Sequence, residues 1–230
     1  MKIILSFFFV VLSCGLLIAQ EQFKFDYTIP SKAFGDDRKI SVYLPPSYYK
    51  YAEDQYTVTY VLDGQSDPFT NLGVKTIEYG GYNYKYTPTI VVGVHAKRRG
   101  WEFSMPEPDE ENKYGSAVEL RQHFKNEIFP FIDSLYKRTL PFRTIIGHSA
   151  GGGFILSTLF SEEKDLFDAY VGISPALRPG ENTILEDAAK RLKDGEKFSK
   201  FLFCSSGTVG EREALFGGAI SSLDSILSVY

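Results

Sequence analysis

The sequence predicts an α/β fold, with a mixed, mostly parallel central sheet and helices on both faces. Three observations carry that reading. Short β-branched and aromatic runs alternate with helix-compatible segments along nearly the whole chain. Thr89–Val94 and Thr144–Ile146 are apolar without alternation, as expected of strands buried on both faces. The first two strand-like runs are joined by turn residues rather than by a helix, so that pair should be antiparallel and the later strands parallel.

Taken in order, Phe23–Ile29 and Lys39–Leu44 alternate as strands around the turn Gly35, Asp36, Asp37, Arg38, and Pro45 and Pro46 close the second. Tyr56–Leu62 is the third strand and runs into Asp63, Gly64, Gln65. Residues 68–77 read as a short helix or loop, broken at Gly80 and Gly81. Thr89–Val94 follows as a central strand, and residues 96–115 are charged and loop-like. Apolar positions Val118, Leu120, Phe124, Ile128, Phe131, Ile132 and Leu135 recur at helical spacing, with Pro130 expected to kink or split that helix. After the strand at Thr144–Ile146 and the apolar helix that follows it, Phe167–Ile173 and Phe201–Ser205 are strands. Residues 181–192 and 213–229 are helices.

At 230 residues and net charge −4, the chain fits one α/β domain with a sizeable core. Lys97, Arg98 and Arg99 form too short a basic run for a nucleic-acid surface. Aromatic residues make up 15% of the chain, and Tyr79, Tyr82, Tyr84 and Tyr86 lie in one tract. Surface and core packing is the favoured reading of the tract, and a pocket for rings or sugars is its rival.

Residues 1–19 have the form of a secretory signal peptide: Lys2, an apolar run from Ile3 to Val11, and a small-residue end at Ala19. Export to a periplasm or to the cell exterior is the resulting expectation, with residues 20–230 as the folded domain. Val11–Gly15 also has the shape of a bacterial lipobox with Cys14 as the lipidated residue, but the apolar run continues beyond the cysteine. With the leader removed, Cys204 is the one remaining cysteine of the sequence and should be inert core.

Gly147, His148, Ser149, Ala150 and Gly151 form a G-x-S-x-G match between a strand and a helix, the context that makes such a match a nucleophile elbow. A serine on this strained turn needs glycines two residues to either side, where a Cβ has no room. The helix that follows directs its free N–H groups toward a developing oxyanion. No His/Cys/Asp grouping with metal-ligand spacing occurs in the sequence, so neither a metal nor an organic cofactor is expected.

Several motifs together carry a resemblance: Val42–Pro45 with Tyr48, Tyr60–Gly64, Ile90–Val94 followed by Arg98 and Arg99, Glu127–Ile132, and Gly147–Gly152 with Ser174 and Pro175. The set resembles the esterase family of α/β hydrolases that includes esterase D and enterochelin (siderophore) esterase-like proteins. The resemblance spans residues 23–230 and implies an α/β-hydrolase fold that cleaves carboxylic esters through an acyl-enzyme. It implies Ser149 as nucleophile, with an oxyanion hole from the Ala150 N–H and a second N–H from Gly64 or Gln65. The acid of the triad falls after Phe201–Ser205, where Glu211 is chosen and Glu213 is its rival. His95, Arg98 and Trp101 are the expected substrate-binding residues. The His148 ring is expected to pack under the elbow, and His123 to be exposed on its helix.

The triad order of this fold is serine, acid, histidine. The chain's three histidines, His95, His123 and His148, all precede Ser149. The family pattern adds a further strand and a histidine-bearing loop, so the sequence reads as a C-terminally truncated esterase rather than a natural short homologue. The expected substrate is a small-molecule ester: a siderophore ester, an acylated or feruloylated sugar, or a small acyl ester. Two alternatives stand beside this. One is a binding module that keeps the fold without turnover, and the other is an acyltransferase on the same elbow.

Overall fold

The computed structural model describes residues 23–84, 87–106, 115–177 and 183–229. The leader with Cys14, Tyr86 of the aromatic tract and the expected helix start at Glu181 lie outside them.

Strands β1 (Lys24–Ser31) and β2 (Asp36–Tyr43) form an antiparallel hairpin, in which Ser31 pairs with Asp36 across the turn. A short helix α1 (Ser47–Lys50) leads to β3 (Tyr56–Leu62), α2 (Asp67–Tyr84) and β4 (Thr89–Val94). Next come α3 (Arg99–Glu102), α4 (Ala117–His123), a π-helical turn at Phe124–Ile128, and α5 (Phe129–Leu135). Then follow β5 (Thr139–His148), α6 (Ala150–Leu159), β6 (Ala169–Ile173), α7 (Ile184–Lys193), β7 (Phe201–Ser205) and α8 (Glu211–Val229). The seven strands make one sheet in the order β1-β2-β4-β3-β5-β6-β7. The β1–β2 and β2–β4 pairs are antiparallel and the other pairs are parallel, as the short hairpin and the helical crossovers require.

Alternate residues of the central strands face opposite layers. Val58, Tyr60, Leu62 and Val92 join Leu120, Phe124, Ile132, Phe154 and Ala219 in the larger core. Val61 and Val91 meet Val74, Phe69 and Ile77 of α2 in a smaller core on the other face. Helices therefore cover both faces. Nine of the ten α6 residues are buried, which accounts for its apolar composition on every side. Among the described residues no helix is long and apolar enough to cross a membrane.

Three local expectations change. Helix α2 runs straight through Gly80 and Gly81, because its buried face at Val74 and Ile77 outweighs the low helix propensity of the pair. The charged stretch after β4 contains a turn of helix, α3. Pro130 sits in the first turn of α5, where its missing N–H costs no α-helical hydrogen bond, directly after the π turn that divides α5 from α4, so the helix is split beside it as expected. His123 is buried, at 1% exposure, with Nδ1 hydrogen-bonded to Glu127. Its helix face packs on the β1–β2 hairpin, where the Glu127 carboxylate also accepts the N–H groups of Lys32 and Ala33.

Strand β7 is the last of the sheet, and Phe201 and Phe203 on it are exposed. Cys204, on the opposite face of β7, is half-buried rather than fully buried. Burial still pushes its thiol up to about 11, which leaves it unreactive near neutrality.

Candidate active site

Ser149 joins β5 to α6 with φ 56° and ψ −118°, a conformation a residue with a Cβ adopts only under strain. Its neighbours hold it there. Its N–H donates to the Ile173 carbonyl at 3.0 Å, and its carbonyl accepts from Gly153 at 3.0 Å and Ala176 at 2.9 Å. A Cβ on Gly147 would lie 2.7 Å from the Gly151 backbone, which explains glycine there. Gly151 differs from expectation, since a Cβ on it would meet Leu62 at 3.4 Å in ordinary contact. The second tight glycine is Gly152, where a Cβ would come within 2.8 Å of the Pro175 backbone.

The described residues contain two other non-glycine residues with positive φ, Asp63 at 62° and Ser174 at 43°. They follow β3 and β6, the strands on either side of β5, so backbone strain is gathered at one edge of the sheet. That edge is where open α/β sheets bind ligands.

In the turn after β3 the Gly64 N–H donates to the Val94 carbonyl at 2.9 Å. This removes Gly64 from the expected pair of oxyanion donors. The Gln65 N–H has no acceptor among the described residues, and the Ala150 N–H belongs to the open first turn of α6. Asp63 Oδ1 accepts Arg99 Nε at 2.7 Å and Gln65 Nε2 at 3.0 Å, and Gln65 Oε1 accepts the Ala96 N–H at 2.9 Å. Arg99 Nη2 donates to the His148 carbonyl at 2.9 Å. Asp63, Gln65, Ser66, Phe69, Arg99 and His148 line a cleft of about 320 Å³. The His148 ring is thus exposed at the cleft, against Phe69 at 6.0 Å between centroids, and is not packed under the elbow.

The two candidate acids separate clearly. Glu213 Oε2 accepts the Ser174 hydroxyl at 2.8 Å and the Gly207 N–H at 2.7 Å, beside the ends of β6 and β7. These two bonds hold its carboxyl below the usual glutamate range. Glu211 is the exposed first residue of α8 and makes no side-chain hydrogen bond among those described.

The expected substrate-binding residues turn elsewhere. His95 Nε2 bonds Ser41 Oγ at 2.9 Å, and that hydroxyl donates to Asp26 Oδ1 at 2.6 Å, so the ring points along β2. Burial holds its pKa below the usual histidine value. Arg98 lies over the Trp101 ring at 4.8 Å, and Trp101 approaches Phe34 of the hairpin at 6.4 Å. None of the three lines the cleft. Tyr79 and Tyr82 are also remote. They border a larger groove of about 900 Å³ between α2 and the start of β4, whose lining does not include Ser149. Arg99 and Asp63 lie within the motifs that carry the resemblance, but the sequence reading gave neither a role at the site. The signal available was a charged residue of each sign placed just after neighbouring strands.

A family model described as Putative esterase matches residues 31–207. The chain belongs to this esterase family. Solved structures give the same fold at low identity. An IroE-like serine hydrolase from Shewanella oneidensis has a TM-score of 0.74 at 20% identity, over 89% of this chain and 70% of that one. Siderophore hydrolase EstB from Aspergillus nidulans has a TM-score of 0.72 at 19% identity, over 90% of this chain and 82% of the other. The enterobactin esterase FES from Shigella flexneri has a TM-score of 0.61 at 15% identity, over 90% of this chain and 51% of its own. No curated protein matches the sequence. The sheet order, the elbow and the family together make this an α/β-hydrolase of the ester-cleaving kind.

Proposed function

We propose that this esterase-family protein is an exported serine hydrolase that cleaves carboxylic esters through an acyl-enzyme on Ser149. The observation that carries the reading is Ser149 itself, held at φ 56° between a buried strand and the open N-terminus of α6. Ser149 Oγ attacks the ester carbonyl, and the Ala150 and Gln65 N–H groups receive the oxyanion. The serine proton passes through a base to the departing alcohol, and water then releases the acid from the acyl-enzyme. Glu213 is the acid in this reading, since it is bonded at the strand ends where Glu211 is not. A siderophore ester, an acylated sugar or a small acyl ester is the substrate class. Support for the first comes from the siderophore hydrolases that share the fold. Export is inferred from the leader-like residues 1–19.

One specific observation favours a second reading. His95 is bonded to Ser41, His123 to Glu127, and His148 faces Phe69, so none of the three hydrogen-bonds Ser149. A chain working with these groups alone would be a ligand-binding module, or a hydrolase slowed by several orders of magnitude. Intact mass after exposure to a fluorophosphonate separates the readings. The expected result is one adduct per chain, absent in Ser149→Ala. An unlabelled wild-type protein that still binds an ester ligand would establish the binding module instead. Product analysis with an added alcohol acceptor distinguishes hydrolysis from acyl transfer.

A further inference from the structure

The two N–H groups assigned to the oxyanion lie on different turns. Ala150 follows β5 and Gln65 follows β3, and the ladder between these strands ends at the Val61–Ile146 pair. Beyond that pair the sheet itself does not hold one turn against the other. Arg99 does. One guanidinium donates Nε to Asp63 Oδ1 at 2.7 Å and Nη2 to the His148 carbonyl at 2.9 Å. Both acceptors adjoin the strained positions: Asp63 has φ 62°, and His148 immediately precedes Ser149 at φ 56°. Gln65, whose N–H is at issue, bonds the same Asp63 oxygen through its side chain.

The loop that carries Arg99 is itself anchored in the core. Glu102 is 1% exposed, its Oε1 accepts the N–H groups of Lys97 at 3.0 Å and Arg98 at 2.7 Å, and its Oε2 is paired with Arg38, which is 3% exposed. Arg99 therefore reaches across the cleft from a fixed base, while its own side chain is 38% exposed.

We propose that Arg99 is a positioning residue that sets the spacing between the Gln65 and Ala150 N–H groups by clamping both turns with one planar fork. The proposal rests on the serine-esterase reading above. It requires two donors at fixed separation, which a guanidinium provides and an ammonium does not. Arg99 touches none of the reacting atoms, so its loss acts through donors displaced by a fraction of an ångström to an ångström.

The test measures the second-order rate of fluorophosphonate labelling in wild type, Arg99→Lys and Arg99→Ala, with near-UV circular dichroism on each. The rate is expected to fall roughly 10- to 100-fold in both variants while the folded signal is kept. Millimolar guanidinium should restore part of the rate to Arg99→Ala and none to Arg99→Lys. Equal rates in all three proteins overturn the clamp and leave the serine reading intact. A rate that falls only in step with lost folded signal, without rescue, assigns Arg99 to stability and also overturns it. No labelling of the wild type removes the serine reading and the clamp with it.

Discussion

The elbow at Ser149 and the segment from His95 to Phe103 stand side by side at the carboxyl edge of the sheet, yet different forces shape them. The elbow is built by close approach of backbone to backbone. Gly147 lies against Gly151, Gly152 against Pro175, and three backbone hydrogen bonds pin Ser149. The neighbouring segment is built by charge. Glu102 gathers two N–H groups and a buried guanidinium, and Arg99 reaches two residues 36 and 49 positions away in the chain. One region is made by short-range sterics that tolerate no Cβ, the other by long-range pairs that tolerate no unpaired charge. A catalytic edge can thus combine a turn held by close backbone approach, including that of the turn after β6, with a loop held by charge.

The largest expected effect breaks the charged side of this comparison. Glu102→Gln leaves the buried Arg38 guanidinium with the half-exposed Asp36 carboxylate at 3.5 Å as its remaining charged partner, and losing one partner of a buried pair costs up to about 3–5 kcal/mol. For a domain of this size that corresponds to a fall in Tm on the order of 10 °C. The double variant Arg38→Met, Glu102→Leu should lose much less than the two single changes together, as a double-mutant cycle by thermal melts would record. Additive losses would mean that the pair does not organise the loop.

A smaller effect sharpens the steric side, at the acid beside the elbow. The Glu213 carboxyl is held below its ordinary value by the Ser174 hydroxyl and the Gly207 N–H. A depressed carboxyl contributes stability that is present above its unfolded pKa, near 4.5, and is lost as pH falls through the lower folded value. Tm measured from pH 6 down to pH 3 should therefore drop more steeply in wild type than in Glu213→Gln. Glu211→Gln should follow the wild-type curve, because that side chain is exposed and unbonded. Identical curves for all three proteins would remove Glu213 from its assigned place.

The smallest effect concerns the aromatic pair that faces the hairpin. Trp101→Ala and Arg98→Ala should change the labelling rate by less than about twofold, since Trp101 packs toward Phe34, Arg98 lies over the Trp101 ring, and neither lines the cleft. A selective loss of aryl-ester turnover in Trp101→Ala would restore it as a substrate contact.

Much of the fold was legible because its signals are local. Apolar runs at Thr89–Val94 and Thr144–Ile146 are strands in the structure, whereas the hairpin turn lies at residues 32–35, and Asp36, Asp37 and Arg38, expected in the turn, pair with β1 as the start of β2. The G-x-S-x-G match sits between β5 and α6 with Ser149 at positive φ, because glycine spacing and strand–helix context act over a handful of residues. Helix α2 was harder to read. Gly80 and Gly81 look like a break in isolation, and packing against Val61 and Val91 keeps the helix going. His123 reads as exposed from helical spacing, but the hairpin that buries it lies some ninety residues earlier in the chain, with Glu127 bonded to Lys32 and Ala33.

By itself, then, the sequence determined the α/β class, the strands of the sheet and the serine on its strained turn, all of them set by side-chain period and by room for a Cβ. Only the tertiary structure decided which arginine faces the cleft, that Glu213 and not Glu211 is bonded at the strand ends, and that the Gly64 N–H is already taken by Val94. Those outcomes depend on which polar groups meet once distant strands lie side by side. The energy of each such pairing exists only in the closed fold, where water no longer satisfies the partners.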